Sequence, residues 1–159
     1  MKYSIRLWAI LSALTMVAYA SPRNITHPET KATTTVQALM EDYQWDKRVL
    51  LIFSPSDGAP ERTQQADYLS AMGAGLNARD LVVWEFINNG SVLRNGEMET
   101  DMSSQPFYEY FDVKNTEFTV LLFGKDGTEK LRRTQPVTSN RLFTLIDAMP
   151  MRQREMYGH

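Results

Sequence analysis

Three runs rich in apolar residues determine the architecture that the sequence predicts. They are Val49–Phe53, Leu81–Ile87 and Phe118–Phe123, and none of them alternates strictly between apolar and polar positions. Runs of this kind are typical of strands buried on both faces, as in a sheet covered by helices on both sides. One predicted helix separates the first two strands, so the two should form a right-handed βαβ unit.

Helical spacing of apolar residues accounts for most of the remaining chain. It predicts helices around Val36–Tyr43 and Ala66–Leu76, and a short one at Phe107–Phe111. It also predicts a last helix through Leu142–Met149, which Thr138 or Ser139 can cap and Pro150 should stop.

Two further segments between the helices have the composition of turns and hairpins. Residues 88–104 are polar and carry two Asn-Gly pairs, which predicts a long connection with a small hairpin inside it. Lys125-Asp126-Gly127-Thr128 predicts a tight turn into a charged returning strand, Glu129–Arg133. Charge of this kind protects an edge strand from pairing with other chains.

These elements follow one another in the order α, β, α, β, α, β, β, α. The economical packing is an α/β three-layer sandwich in which helices flank a central mixed sheet of about four strands. Composition agrees with one globular domain, since 43 % of the 159 residues are hydrophobic and 23 % are charged.

The amino terminus has the features of a secretory signal peptide. Lys2 and Arg6 precede an apolar run from Leu7 to Ala18, and Ala18-Tyr19-Ala20 forms a small-x-small cleavage motif. The run is shorter than the ~20 residues of a membrane span. The sequence therefore predicts a signal peptide over 1–20, a flexible polar leader over 21–35 and a folded domain over 36–156, with no stable membrane span after cleavage.

Charge and cysteine content narrow the compartment and the partner. Cleavage removes two of the 17 Lys and Arg residues and keeps all 19 Asp and Glu residues, so the formal net charge moves from −2 to about −4. This balance does not favour nucleic acid as a partner. The chain has no cysteine, which suits a bacterial periplasm, and we expect an exported protein that is periplasmic or secreted.

Several segments together resemble the family called domain of unknown function 4174. The segments that carry the resemblance are Trp45–Pro55, Arg79–Val83, Phe118–Gly127, Leu131-Arg132 and Leu145–Met156. The family occurs in bacterial exported proteins and, as a module, in animal extracellular proteins of the sushi-repeat and coiled-coil domain-containing 80 types. The resemblance implies a thioredoxin-like fold, but it brings no established activity, substrate or cofactor.

The chain departs from redox-active thioredoxins at two places. Ser54–Pro60 stands where such proteins have a Cys-x-x-Cys pair, and Thr116-Glu117-Phe118 stands where they have a proline before the third strand. We therefore predict neither thiol-disulfide exchange nor thiol peroxidase activity.

The loop after the first strand is the first candidate binding site. Ser54, Ser56 and Asp57 follow a parallel strand, and Gln64 lies in the helix that begins beside them. Free amides at a helix start bind anions. The alternative is that these residues only build a turn and a cap, because Ser, Pro, Asp and Gly are the usual turn residues.

The basic hairpin is the second candidate. Lys125 and Arg132 belong to its cluster of cations, which can bind an anionic ligand or an acidic partner. If the third strand lies beside the first, Lys125 should come within reach of the helix start after Ser54. The alternative is that these charges only guard an edge strand.

Few residues in the sequence suit catalysis by a serine nucleophile or the binding of a metal ion. The two histidines, His27 and His159, lie in the leader and at the terminus, so neither is well placed as a base for a serine nucleophile. No metal site or cofactor is predicted. Two functions remain: a binding or interaction module of the cell envelope, or an enzyme of unknown type that uses Ser54, Asp57, Gln64 or Lys125 in a pocket. The oligomeric state stays open.

Overall fold

The computed structural model describes residues 28–158, with side chains from residue 36 onward. These residues form strands and helices in mixed order, which confirms the α/β class. The helices are α1 (Pro28–Tyr43), α2 (Pro60–Ser70), α3 (Gly73–Asn77), α4 (Gln105–Tyr110), α5 (Ser139–Asp147) and α6 (Pro150–Tyr157). The strands are β1 (Arg48–Ser54), β2 (Leu81–Ile87), β3 (Val92–Arg94), β4 (Glu97–Met98), β5 (Thr119–Phe123) and β6 (Glu129–Arg133).

The strands make one mixed, open sheet in the order β4-β3-β2-β1-β5-β6. β1 and β2 are parallel, whereas β5 is antiparallel to β1 and β6 is antiparallel to β5. The prediction of about four strands is wrong, because the described sheet has six. The two additional strands come from the small hairpin that the Asn-Gly pairs indicate within residues 88–104.

Alternate residues of β1 enter two separate hydrophobic cores. Leu51 and Phe53 pack in a core with residues of α1 and α4. Leu50 and Ile52 pack in a second core with residues of α2, α3 and α5. Every residue of β1 is buried, which confirms the interpretation of its unbroken apolar run.

Prolines and a threonine set the ends of the last two helices. Thr138 is the cap of α5, since its side-chain oxygen accepts a hydrogen bond from the Arg141 amide at 3.4 Å. The prediction that Pro150 stops the last helix is only half right. α5 ends at Asp147, and Pro150 then begins α6, because proline also suits the first turn of a helix.

The amino-terminal segment is described only from residue 28 onward. α1 begins at Pro28, so residues 28–35, which the sequence assigns to a leader, are helical. The signal peptide and its cleavage site lie outside the described residues, and the boundaries predicted there stay predictions.

Candidate functional site

The loop after β1 is closed by its own hydrogen bonds. Ser54 is buried, and its Oγ donates to the carbonyl of Ser56 at 2.7 Å. The Ser54 carbonyl in turn accepts from the Tyr108 hydroxyl at 2.6 Å. Ser56 and Asp57 are exposed. Ser54 is therefore held by the fold and does not present its hydroxyl to solvent.

Helix α2 directs its two glutamines differently. Gln64 is exposed, whereas its neighbour Gln65 is buried. The Gln65 side-chain Nε2 donates to the Val137 main-chain carbonyl at 3.1 Å, and its Oε1 accepts from the Val137 main-chain amide at 2.7 Å. Gln64 is the predicted site residue, but Gln65 is the glutamine that makes specific contacts, and these contacts are structural.

Carboxylates surround the start of α2. Asp57 lies 3.2 Å and Glu85 lies 3.1 Å from nitrogens of the same Arg62 guanidinium, and Glu61 adds a third carboxylate in the first helical turn. Glu85 is the charged residue in the otherwise apolar strand β2, and this break in the apolar run is a signal visible in the sequence. One cation among three carboxylates offers little attraction to an anionic ligand.

Lys125 lies at the opposite end of β1 from Ser54. Because β5 is antiparallel to β1, Phe123 pairs with Val49 and Thr119 pairs with Phe53. Lys125 follows β5 and therefore lies beside Arg48, at the start of β1. The expectation that Lys125 comes within reach of the Ser54 loop is wrong for this reason, although β5 does lie beside β1.

Arg132 occupies a third location, on the edge strand β6. Its side chain is 41 % exposed and pairs with Glu129 at 2.8 Å, and it donates to the Phe111 carbonyl at 3.2 Å. The structure thus distributes the six predicted site residues over three regions and does not gather them in one pocket.

An ion-pair cluster at the start of β1 contains Lys125. Lys125 Nζ lies 2.8 Å from Asp80 Oδ2 and 2.9 Å from Glu155 Oε1. Glu155 also accepts from Arg48 Nη2 at 3.1 Å and lies 3.3 Å from Arg152. We call Arg48, Asp80, Lys125, Arg152 and Glu155 the β1-start cluster. It connects α6 to the sheet.

Burial and pairing set the protonation of this cluster. Partial burial by itself raises the pKa of Glu155, but hydrogen bonds from Arg48 and Lys125 outweigh it and lower that pKa to about 2. The hydrogen bond from Lys125 also lowers the pKa of Asp80. Arg48 is completely buried. The two carboxylates of the cluster are thus held in their charged form beside three basic side chains, and Lys125 is engaged within the protein.

Polar side chains converge in a cleft beside the start of β2, which we call the polar cleft. Its volume is about 550 Å³. Arg94 stands over the Trp84 ring, with its guanidinium carbon 5.7 Å from the ring centroid, and Tyr43 meets the same ring edge-on. The lining residues are Tyr43, Lys47, Asn77, Asp80, Leu81, Val82, Arg94, Asn95 and Glu97.

A second cleft of about 400 Å³ lies between β2 and the helices α2 and α3, and we call it the apolar cleft. Aliphatic side chains such as Leu69, Leu76 and Val83 line it, and Glu85 stands at its wall. Both clefts share Asn77, Leu81 and Asn95 in their walls.

The β3–β4 turn that separates the clefts is firmly held. Asn95 and Gly96 both have positive φ angles, +50° and +86°, as a two-residue hairpin turn requires. The Asn95 amide donates to the Val83 carbonyl at 2.8 Å, and the Asn95 Oδ1 accepts from the Val83 amide at 3.0 Å. The shared wall of the clefts is therefore a fixed surface.

The sequence profile of the family described as domain of unknown function (DUF4174) matches residues 39–155. The chain belongs to this family. The match includes both clefts and the β1-start cluster, so the site geometry described above lies within the DUF4174 domain.

Two larger proteins are similar to this DUF4174 domain. Coiled-coil domain-containing protein 80 of Danio rerio is 26 % identical over 137 residues, which cover 76 % of this chain and 16 % of that protein. Sushi repeat-containing protein SRPX2 of Xenopus laevis is 24 % identical over 123 residues, which cover 75 % of this chain and 27 % of that protein. No solved structure is significantly similar to the chain. The chain thus corresponds to a minor part of each relative.

The described part of the chain lacks two features. Within residues 28–158, no group of three or more His, Cys, Asp or Glu side chains is arranged to hold a metal ion. No helix in this part of the chain is both long and apolar enough to cross a membrane.

Proposed function

We propose that this chain is an exported, non-redox DUF4174 domain that acts as a binding module of the cell envelope, with its ligand in the polar cleft. Its fold is a thioredoxin-like three-layer sandwich. Two facts support this fold: β5 lies beside β1 in the sheet, and separate hydrophobic cores pack α1 and α4 on one face and α2, α3 and α5 on the other.

The polar cleft is the observation that carries the binding function. Its volume of about 550 Å³ lies within the usual range for ligand pockets, roughly 300–1,000 Å³. Polar groups from α1, β3, β4 and the segment before β2 meet there, and a buried Trp84 supports the Arg94 side chain. Lys47 lies 3.6 Å from Asp80, and Arg94 lies 2.7 Å from Glu99. Both cations are thus paired with carboxylates, so the cleft suits a polar ligand that is not strongly charged.

The arrangement of the candidate catalytic residues favours binding over catalysis. An enzyme that used Ser54, Asp57, Gln64 and Lys125 would need their side chains in one pocket. Ser54 is buried and donates to Ser56, Gln64 is exposed, and Lys125 lies at the other end of β1. These four residues are therefore not gathered in one pocket.

The binding function can be tested by crosslinking from the cleft. The chain has no cysteine, so Asn77→Cys provides a unique attachment point for a benzophenone label in the wall of the polar cleft. Arg141→Cys, on the exposed surface of α5, is the matched control. In envelope extract under ultraviolet light, we expect a product from position 77 that excess unlabelled protein suppresses and that position 141 does not give. The same products from both positions would refute the proposal.

Export has a separate test. The expected signal peptide ends at Ala20, so the exported protein should begin at Ser21. Mass spectrometry of the amino-terminal peptide of the exported protein checks this. An intact amino terminus at Met1 on exported protein would contradict it.

A further inference from the structure

We infer that the ligand of the polar cleft is an extended peptide that crosses the edge of the sheet at Leu81 and places neighbouring side chains in the polar and the apolar cleft. This inference rests on the proposed function, because it specifies the ligand class for the same site. It adds the apolar cleft as the second half of the binding surface.

The main chain of β2 presents an edge between the clefts. Even-numbered residues in and beside β2 direct their main-chain N–H and C=O groups toward β1. The Asp80 carbonyl accepts from the Arg48 amide, and the Asn88 amide donates to the Ser54 carbonyl. Odd-numbered residues direct their main-chain groups away from β1. The Val83 carbonyl accepts from the Asn95 amide, and the Ile87 amide donates to the Ser91 carbonyl. Leu81 is odd-numbered like Val83, so its main-chain groups also point away from β1. The register of β3 with β2 starts at Trp84, so Leu81 lies beyond it, in the wall of both clefts.

The clefts lie on opposite faces of this edge. Val82 lines the polar cleft and belongs to the core on the α1 side, whereas Val83 lines the apolar cleft and belongs to the core on the α2 side. Leu81 belongs to the core on the α2 side and lies in the wall of both clefts. Successive side chains of an extended chain point to opposite faces. A peptide strand added beside Leu81 would therefore direct one side chain into each cleft, as in recognition by strand addition.

The chemistry of the two walls fits this occupant. Leu69 and Leu76 offer an aliphatic surface to an apolar side chain, and the polar cleft offers donors and acceptors to its neighbour. Asn77 and Asn95 stand between the clefts. The Asn77 side-chain amide, and the Nδ2 group of Asn95 whose Oδ1 already accepts from the Val83 amide, can pair with peptide main-chain groups. A sugar would leave the apolar half without a partner, and an acyl chain would leave the polar half unpaired.

Two peptides of equal composition test the alternation that the inference requires. The probes are acetyl-Leu-Ser-Leu-Ser-Leu-amide and acetyl-Leu-Leu-Leu-Ser-Ser-amide, titrated into the 15N-labelled domain and followed by NMR. We expect the alternating peptide to bind more tightly and to shift amide signals in both clefts. Ala66→Trp, which fills the apolar cleft, should weaken its binding about tenfold, the effect of losing one buried aliphatic side chain.

The control variant is Ala71→Trp, at an exposed position outside both clefts. It should bind the alternating peptide like the wild type, and the melting temperatures of both variants show whether they fold. Equal affinity for the two peptides, no binding of either, or shifts confined to the polar cleft would overturn the inference. Crosslinking from Asn77 would persist in those cases if the proposed function is right, and its absence would refute the function itself.

Discussion

Replacing Glu155 with Gln will lower the free energy of unfolding by roughly 2 kcal/mol, less than for a fully buried ion pair because the Glu155 side chain is 26 % exposed. Arg48 is completely buried, and its Nη2 donates to Glu155 at 3.1 Å. Lys125 and Arg152 also pair with this carboxylate. The neutral amide leaves three cations with reduced compensation. Urea denaturation of the wild type and of E155Q measures the difference.

Glu129→Gln is the matched control for this experiment. Glu129 pairs with Arg132 at 2.8 Å, but both side chains are more than a third exposed. Exposed pairs contribute between about 0 and 1 kcal/mol, so this variant should unfold nearly like the wild type. If E155Q and E129Q have the same stability, the β1-start cluster does not anchor α6 as described.

Acid will destabilise the protein mainly between pH 4.5 and pH 2. Partial burial favours the neutral form of Glu155, yet hydrogen bonds from Arg48 and Lys125 hold its pKa at about 2 in the folded chain, below the ordinary 4.5. A pKa lowered by folding adds stability above pH 4.5, and that stability is lost as the pH falls through the folded value. After allowance for the partial exposure of Glu155, its share is roughly 2 kcal/mol.

The pH dependence is measured by repeating the urea denaturation from pH 7 to pH 2.5. The free energy of unfolding of the wild type should change little above pH 5 and fall below pH 4.5. Asp80, whose pKa is lowered by Lys125, contributes in the same direction at lower pH. E155Q should show a shallower fall because it lacks the main titrating group. Parallel curves for the two proteins would contradict this assignment.

The local pattern of apolar residues is sufficient to predict the strands that form the buried centre of the sheet. β1, β2 and β5 match the three apolar runs closely, because strands covered on both faces need apolar residues at nearly every position. The hairpin strands β3 and β4 were harder to count. Glu97–Met98 is two residues long and exposed, and so short a polar strand has no periodicity to detect.

The location of the functional residues depended on long-range geometry. The sequence predicts that β5 lies beside β1, but the direction of β5 decides which end of β1 Lys125 meets. Because β5 is antiparallel to β1, Lys125 lies at the end away from Ser54. The long connection between β2 and β5 leaves that direction open in the sequence. In the sequence, Arg48 is simply a charged residue beside an apolar run. Its burial depends on Glu155, which lies 107 positions further along the chain.

The clefts were absent from the sequence-based candidates for a related reason. Their walls combine α1, α2, α3, β2 and the β3–β4 turn, and no single segment carries a recognisable motif. Glu85 within an apolar strand was a usable local signal for polar chemistry at the α2 face. Asn95-Gly96 was recognised as a turn, but its side-chain bond to Val83 becomes visible only once β2 and β3 pair.

The most direct test of the binding site compares crosslinking from the polar cleft with crosslinking from the loop after β1. A benzophenone label on Asn77→Cys lies in the cleft wall, and the same label on Ser56→Cys lies on the exposed loop that the sequence favoured. In envelope extract, we predict a specific product from position 77, suppressed by excess unlabelled protein, and only background from position 56. An equal or greater specific yield from position 56 would place the ligand at the loop and contradict this account.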